Sequence, residues 1–332
     1  MEQYPYSTEL KKPISAGDTD FFNPKVQKSM AAIMKIFQLQ AKLAQVPKGV
    51  KKSWHEYPGA DCATRPYLLA EPAGEKEKLP AVIYFHGGGF MYPIQSMMVK
   101  LSGIYAGAAH VRVFLPEYRF APQHSCKTIL EDCYSMVTYV YNHAEELQID
   151  QSNIILYGDS AGGALAANVT HMLKDRNGPK IKAQMLIYPV TDDQSEKYES
   201  VKQYPNAAWS AHANRQMWQL YFSKGDCGMR KYAVPMEYEN LADMPPAYVE
   251  PQEIDILRDE AVAYAEKLKS AGVPVQINLI KASYHGFDAD VKNPFVKRVI
   301  TKRIQVLKEF TKWNVQRRKT ENEKENCKLV KS

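Results

Sequence analysis

The chain has 332 residues, 45% hydrophobic and 11% aromatic, which suits a globular protein built as one large α/β domain or two ordinary ones. Its net charge is +6, and residues 317–332 alone hold six Lys/Arg against three Glu, so the rest of the chain offers no basic stripe for nucleic acid. The five cysteines lack C-x-x-C pairing, no apolar run nears the ~20 residues of a membrane span, and Met1–Pro5 lacks the apolar run of a signal peptide. These features predict buried free thiols and a soluble, cytoplasmic protein without stable membrane association.

Asn23-Pro24 reads as a helix start, a capping side chain followed by proline at the first helical position. Val26, Met30, Ile33, Met34, Phe37, Ala41 and Ala44 then recur at helical spacing up to Pro47-Lys48-Gly49, with Lys25, Lys28, Lys35 and Lys42 between them. An amphipathic helix packed on the body of the protein is expected; a membrane-surface helix is the alternative.

From Trp54 onward strand and helix signals alternate. Strands are expected at 54–57, 67–70, 81–85, 111–115, 154–157, 184–188, 247–249 and 275–280, and helices near 96–109, 127–147, 162–175, 257–270 and 295–316. Strands separated by helices imply a parallel sheet with crossover connections.

His86-Gly87-Gly88-Gly89-Phe90 follows the third strand directly. Such an H-G-G-G loop turns backbone N–H groups toward a developing oxyanion, and glycine lets the backbone approach the reacting carbonyl. A dinucleotide loop is excluded, because Tyr92 stands where G-x-G-x-x-G needs its last glycine.

The fifth strand runs into Gly158-Asp159-Ser160-Ala161-Gly162, a G-x-S-x-G sequence that opens the next helix. Strand, sharp turn and helix is the setting of a nucleophile elbow, which lifts a serine hydroxyl above the sheet. Asp159 is read as a positioning residue.

Between Pro189 and Ala247 no strand signal occurs, but Tyr198, Tyr204, Trp209, Trp218, Tyr221, Phe222, Tyr232 and Tyr238 do. This stretch is too long for a plain loop and is expected to form a helical cap, its aromatics mostly packing the cap itself.

A serine nucleophile needs a base. Of eight histidines, His285 lies on the loop after the last strand, where the chain order Ser, Asp, His puts it. The acid must follow the seventh strand, which leaves Glu250, Glu253, Asp255 and Asp259. Asp259 and Glu260 sit in the first turn of a helix, where acids favour the dipole. Asp255, in the loop before that helix, is the first choice and Glu253 the second.

Taken in order, these motifs resemble the hormone-sensitive-lipase family of α/β-hydrolases, in its bacterial esterase and acetyl-esterase branch. The resemblance rests on His86–Phe90, on Tyr118-Arg119 with Ala121-Pro122 and Asp132, on Gly158–Gly163, on Asp255–Glu260 and on His285-Gly286-Phe287. It implies the α/β-hydrolase fold: an eight-stranded, mostly parallel sheet flanked by helices, with a helical cap. The chain then divides into N-terminal cap helices (1–50), a first core part (51–190), a cap insertion (191–244), a second core part (245–316) and a basic, disordered tail (317–332). Ser160, His285 and Asp255 form the triad, and the amides of Gly87, Gly88 and Ala161 serve as oxyanion donors. Gln123, Ala164 and Glu253 depart from the family pattern of Glu, Asn and a small residue.

The expected activity is that of a serine carboxylesterase on short, acetyl-like esters, acting through an acyl-enzyme without cofactor or metal. Its partner is a small-molecule ester, and a homodimer is left open. Amide hydrolysis on the same triad is one alternative. A ligand-binding protein on an inactive hydrolase fold is the other, although such proteins lose a triad member and this chain keeps all three.

Overall fold

Asn23 accepts the Lys25 N–H through its side chain, and Pro24 opens helix α1 (Pro24–Leu43) at the expected residue. The computed structural model describes residues 4–311, apart from positions 14, 16 and 18; the basic stretch 317–332 and Cys327 lie outside the described residues. Ala41 is the one buried residue of α1, and Val26 and Met30 pack half-buried on the body. Ile33, expected to pack, is exposed, as are Ile36, Leu39 and Leu43. The helix is apolar over more of its circumference than the body can cover.

Beyond α1 the chain forms β1 (Val50–Pro58), β2 (Thr64–Pro72), β3 (Leu79–Phe85), α2 (Ser96–Ala109), β4 (Arg112–Pro116), α3 (Cys126–Asn142) and β5 (Ile149–Asp159). α4 (Ala161–Asp175) and β6 (Ala183–Ile187) come next, then the short α5 (Glu199–Gln203), α6 (Ala211–Tyr221) and α7 (Arg230–Ala233). The described residues close with β7 (Ala247–Glu250), β8 (Gln252–Ile254), α8 (Arg258–Ser270), β9 (Val275–Ile277), β10 (Ile280–Tyr284) and α9 (Pro294–Thr311).

Eight strands make one sheet in the order β1-β2-β4-β3-β5-β6-β7-β9. β2 runs antiparallel to both β1 and β4, and the remaining neighbours are parallel. All seven residues of β3 are buried, as a strand covered on both faces requires. Ala81, Ile83 and Phe85 point into the core under α3, α4 and α8, while Val82 and Tyr84 point into the one under α2 and α9.

The last expected strand, 275–280, is in fact two. β9 ends at Ile277, and β10 leaves the main sheet to pair in parallel with β8. Tyr284 stands opposite Ile254 in that pair, so the residues that follow them, His285 and Asp255, emerge side by side. Cys62, Cys126, Cys133 and Cys227 are free, but Cys62 and Cys227 are exposed rather than buried. Among the described residues no helix is long and apolar enough to cross a membrane.

Candidate active site

β5 delivers Ser160 into α4 through a backbone turn with φ 55° and ψ −122°, a strained conformation for a residue with a side chain. The glycines around it are steric necessities. A Cβ on Gly158 would lie 2.0 Å from the Gly162 carbonyl oxygen, and one on Gly162 would lie 2.0 Å from that of Phe85. The Ser160 N–H donates to the Ile187 carbonyl at 2.9 Å, tying the turn to β6.

The Ser160 hydroxyl lies 2.8 Å from His285 Nε2, and His285 Nδ1 lies 2.8 Å from Asp255 Oδ2. Asp255 is wholly buried, and its Oδ1 accepts the Leu257 N–H at 3.1 Å. A carboxylate in that place favours the tautomer with the proton on Nδ1, leaving Nε2 to accept from the serine.

The other candidate acids are engaged elsewhere. Glu253 accepts the Ala282 N–H at 2.7 Å and Lys281 Nζ at 3.1 Å, contacts that hold its carboxyl below the usual range, the Ala282 amide first. Asp259 accepts the Ser200 N–H and pairs with Arg258, and Glu250 pairs with the buried Arg303.

The H-G-G-G loop is braced from below. His86 is buried and stacks on Tyr118 at 4.3 Å, and the Tyr118 hydroxyl donates to the His86 carbonyl at 2.6 Å. Burial lowers the His86 pKa to about 4, so the neutral ring donates from Nδ1 to the Gly87 carbonyl at 2.8 Å. Arg119 grips Asp132 through two nitrogens at 2.7 Å, which fixes the segment carrying Tyr118. Gly88 and Gly89 have φ of 116° and 60°, conformations that favour glycine.

Of the three expected donor amides, that of Gly87 faces the buried Asp159 carboxylate. The amides of Gly88 and Ala161 have no acceptor among the described residues. No cluster of three or more His, Cys, Asp or Glu among the described residues is arranged to hold a metal ion.

Residues 82–289 match the family model of the alpha/beta hydrolase fold. Esterase LipI of Mycobacterium tuberculosis is 33% identical over 218 residues, spanning 64% of this chain and 67% of its own. The chain belongs to the hormone-sensitive-lipase-like family of α/β-hydrolases. An ethyl acetate hydrolase of Pseudomonas putida is 31% identical over 234 residues, 68% of this chain and 72% of that one. A hyperthermophilic esterase from the archaeon Pyrobaculum calidifontis superposes with a TM-score of 0.77 at 28% identity, covering 85% of this chain and 93% of its own.

In this hydrolase the segment between β6 and β7 stands over the elbow. The Trp209 ring lies 6.1 Å from His285, and a Cβ on Gly89 would meet Met217 at 3.5 Å and Trp209 at 3.6 Å. The Tyr188 ring also packs against His285, in an edge-on arrangement at 4.8 Å. Tyr221 instead stacks on Phe90 at 4.0 Å, as part of the packing. Sequence reasoning did not single out Trp209 among these aromatics, because its spacing differs in nothing from that of its neighbours.

Proposed function

We propose that this family member is a serine carboxylesterase acting on short-chain esters, with Ser160 as nucleophile. The observation that carries this reading is the relay of two 2.8 Å contacts, Ser160 to His285 to Asp255, mounted on a strained elbow. In the first half-reaction Ser160 Oγ attacks the ester carbonyl while His285 Nε2 takes its proton. The tetrahedral oxyanion is met by the Gly88 and Ala161 amides, and Asp255 stabilises the imidazolium. His285 then returns the proton to the leaving alcohol, and an acyl-Ser160 remains. Water, deprotonated by His285, attacks that ester; the acid leaves and Ser160 regains its proton.

In this assignment Gly87 has a different role from the one its sequence suggests, since its amide serves to hold Asp159 beneath the loop. The relative named esterase supports an ester substrate, and the one named ethyl acetate hydrolase supports a small acyl group. Residues 1–50 and 191–244 act as the cap, with the hydrolase core at 51–190 and 245–316. The test is labelling by a fluorophosphonate, with wild type and Ser160→Ala compared on matched p-nitrophenyl acetate and acetanilide substrates. Wild type should label and prefer the ester, and the folded variant should neither label nor retain more than ~10⁻⁴ of kcat. Labelling of Ser160→Ala, or faster turnover of the anilide, would overturn the reading.

A further inference from the structure

Helix α1 concentrates the exposed large apolar side chains of the described residues. Ile33, Ile36, Leu39 and Leu43 are 39%, 53%, 58% and 66% exposed, and Phe22 just before the helix is 44% exposed. At ~100° per residue, Ala32, Ile36, Leu39 and Leu43 share one outward side, well away from the Val26, Met30 and Ala41 side that rests on the body. Lys28, Lys35 and Lys42 run along the edge of that outward stripe, Lys25 lies at its start, and the helix contains no Asp or Glu.

An exposed apolar stripe edged by cations and free of acids matches one surface chemistry, acyl chains beneath anionic headgroups. A second copy would set the same lysines against each other, and the chain's own 317–332 segment carries charge of the same sign. We propose that α1 docks the protein on an anionic lipid bilayer, with the helix lying in the plane of the surface.

The docked helix reaches toward the site. Its Phe37 ring lies 6.2 Å from Tyr92, and Tyr92 packs directly on Gly88 of the oxyanion loop. Esters of a short acid with a lipophilic, bilayer-dissolved alcohol are the substrates such docking would serve. That clause rests on the proposed esterase function, whereas the docking itself does not.

The test is flotation of the full-length protein with vesicles of pure phosphatidylcholine or of phosphatidylcholine mixed with phosphatidylglycerol. Binding is expected on the anionic vesicles only, and raised salt should weaken it. Ile36→Glu combined with Leu39→Glu, and Lys28→Glu combined with Lys35→Glu and Lys42→Glu, should each reduce partitioning at least tenfold. All these side chains are exposed, so circular dichroism and turnover of soluble p-nitrophenyl acetate should match wild type; a soluble-ester failure in wild type would count against the esterase reading alone. No flotation with either vesicle, equal flotation with both, or full binding by the variants would overturn docking. So would a dimer, seen by light scattering, that Ile36→Glu with Leu39→Glu dissolves.

Discussion

Arg303 on α9 and Asp288, in the short turn after His285, form an ion pair of 2.6 Å that is buried on both sides. The same guanidinium holds Glu250, the last residue of β7, also at 2.6 Å. Tyr188 donates to Asp288 at 2.7 Å and lays its ring edge against His285. One cation from α9 therefore ties the strand that leads to Asp255 to the turn that follows His285.

Removing that cation leaves two carboxylates buried without their counter-charge. Arg303→Met should destabilise the fold by about 3–5 kcal/mol. Adding Glu250→Gln and Asp288→Asn to it should recover part of the loss, because the stranded charges are gone. Urea denaturation of the three proteins checks this. A single variant as stable as wild type would mean the pair contributes nothing to the fold.

The acid can be tested against its nearest rival in sequence. Asp255→Asn keeps the volume and the Leu257 contact but removes the acceptor that fixes the His285 tautomer, and it should lower kcat on the order of 10⁴-fold. Glu253→Gln affects only the Ala282 and Lys281 contacts at the surface of β10, so its kcat should stay within about tenfold of wild type. Steady-state kinetics on p-nitrophenyl acetate decide, and a reversed order of the two effects would move the acid to Glu253.

Why Asp255 rather than Glu253 meets the histidine was only half legible in the sequence. Loop position favoured Asp255, but the physical cause is the β8–β10 pair, whose register brings Ile254 beside Tyr284. Neither strand announces itself: Gln252-Glu253-Ile254 is short and polar, and Ile280-Lys281-Ala282-Ser283-Tyr284 carries a lysine and a serine. Their pairing is a tertiary event. β3, by contrast, was plain because its unbroken apolar run has no solvent-compatible alternative, and α2 because Pro93 and Val111 bracket an uninterrupted helical stretch. α1 shows the limit of periodicity from another side. Its spacing predicted a helix with the correct N-cap, although the helix ends at Leu43, short of Pro47; apolar residues occupy two sectors, and a count of repeats does not say which one the body covers. The direction of the Gly87 amide was equally hidden, since it depends on Asp159 folding back beneath the loop.

Asp159 is buried, and burial raises its pKa from 3.8 to about 6, with the charge of Asp288 adding to the effect. A folded-state pKa above the unfolded one means that the folded state prefers the proton. The stability this group confers is complete below pH 3.8 and is lost as pH rises through 6. Asp159→Asn keeps an acceptor for the Gly87 amide and cannot ionise. It should therefore match wild type near pH 4 and exceed it at pH 8 by up to about 3 kcal/mol. Urea titrations at both pH values test this, and a variant with the same stability difference at each would show that Asp159 does not titrate in this range.

Acyl length should be set by the roof over the elbow. Trp209 and Met217 pack close to Gly89, and the acyl arm of a bound ester is expected to meet these packed side chains within a few carbons. Each methylene that finds an apolar wall gains roughly 0.8 kcal/mol, about a fourfold rise in kcat/KM. Once the wall is reached, a further methylene must displace packed groups at a cost of about 1–3 kcal/mol. For p-nitrophenyl esters kcat/KM should therefore peak between about two and six acyl carbons and fall steeply by about ten. Trp209→Ala removes a ring that stands near both Gly89 and His285 and should move the peak toward longer chains, with the acetate rate changed least. The series from acetate to decanoate, run on both proteins, separates the outcomes. A wild-type optimum at decanoate would mean that the roof does not bound the pocket, and a Trp209→Ala profile lowered equally at every length would mean that the indole supports His285 instead of limiting the acyl arm.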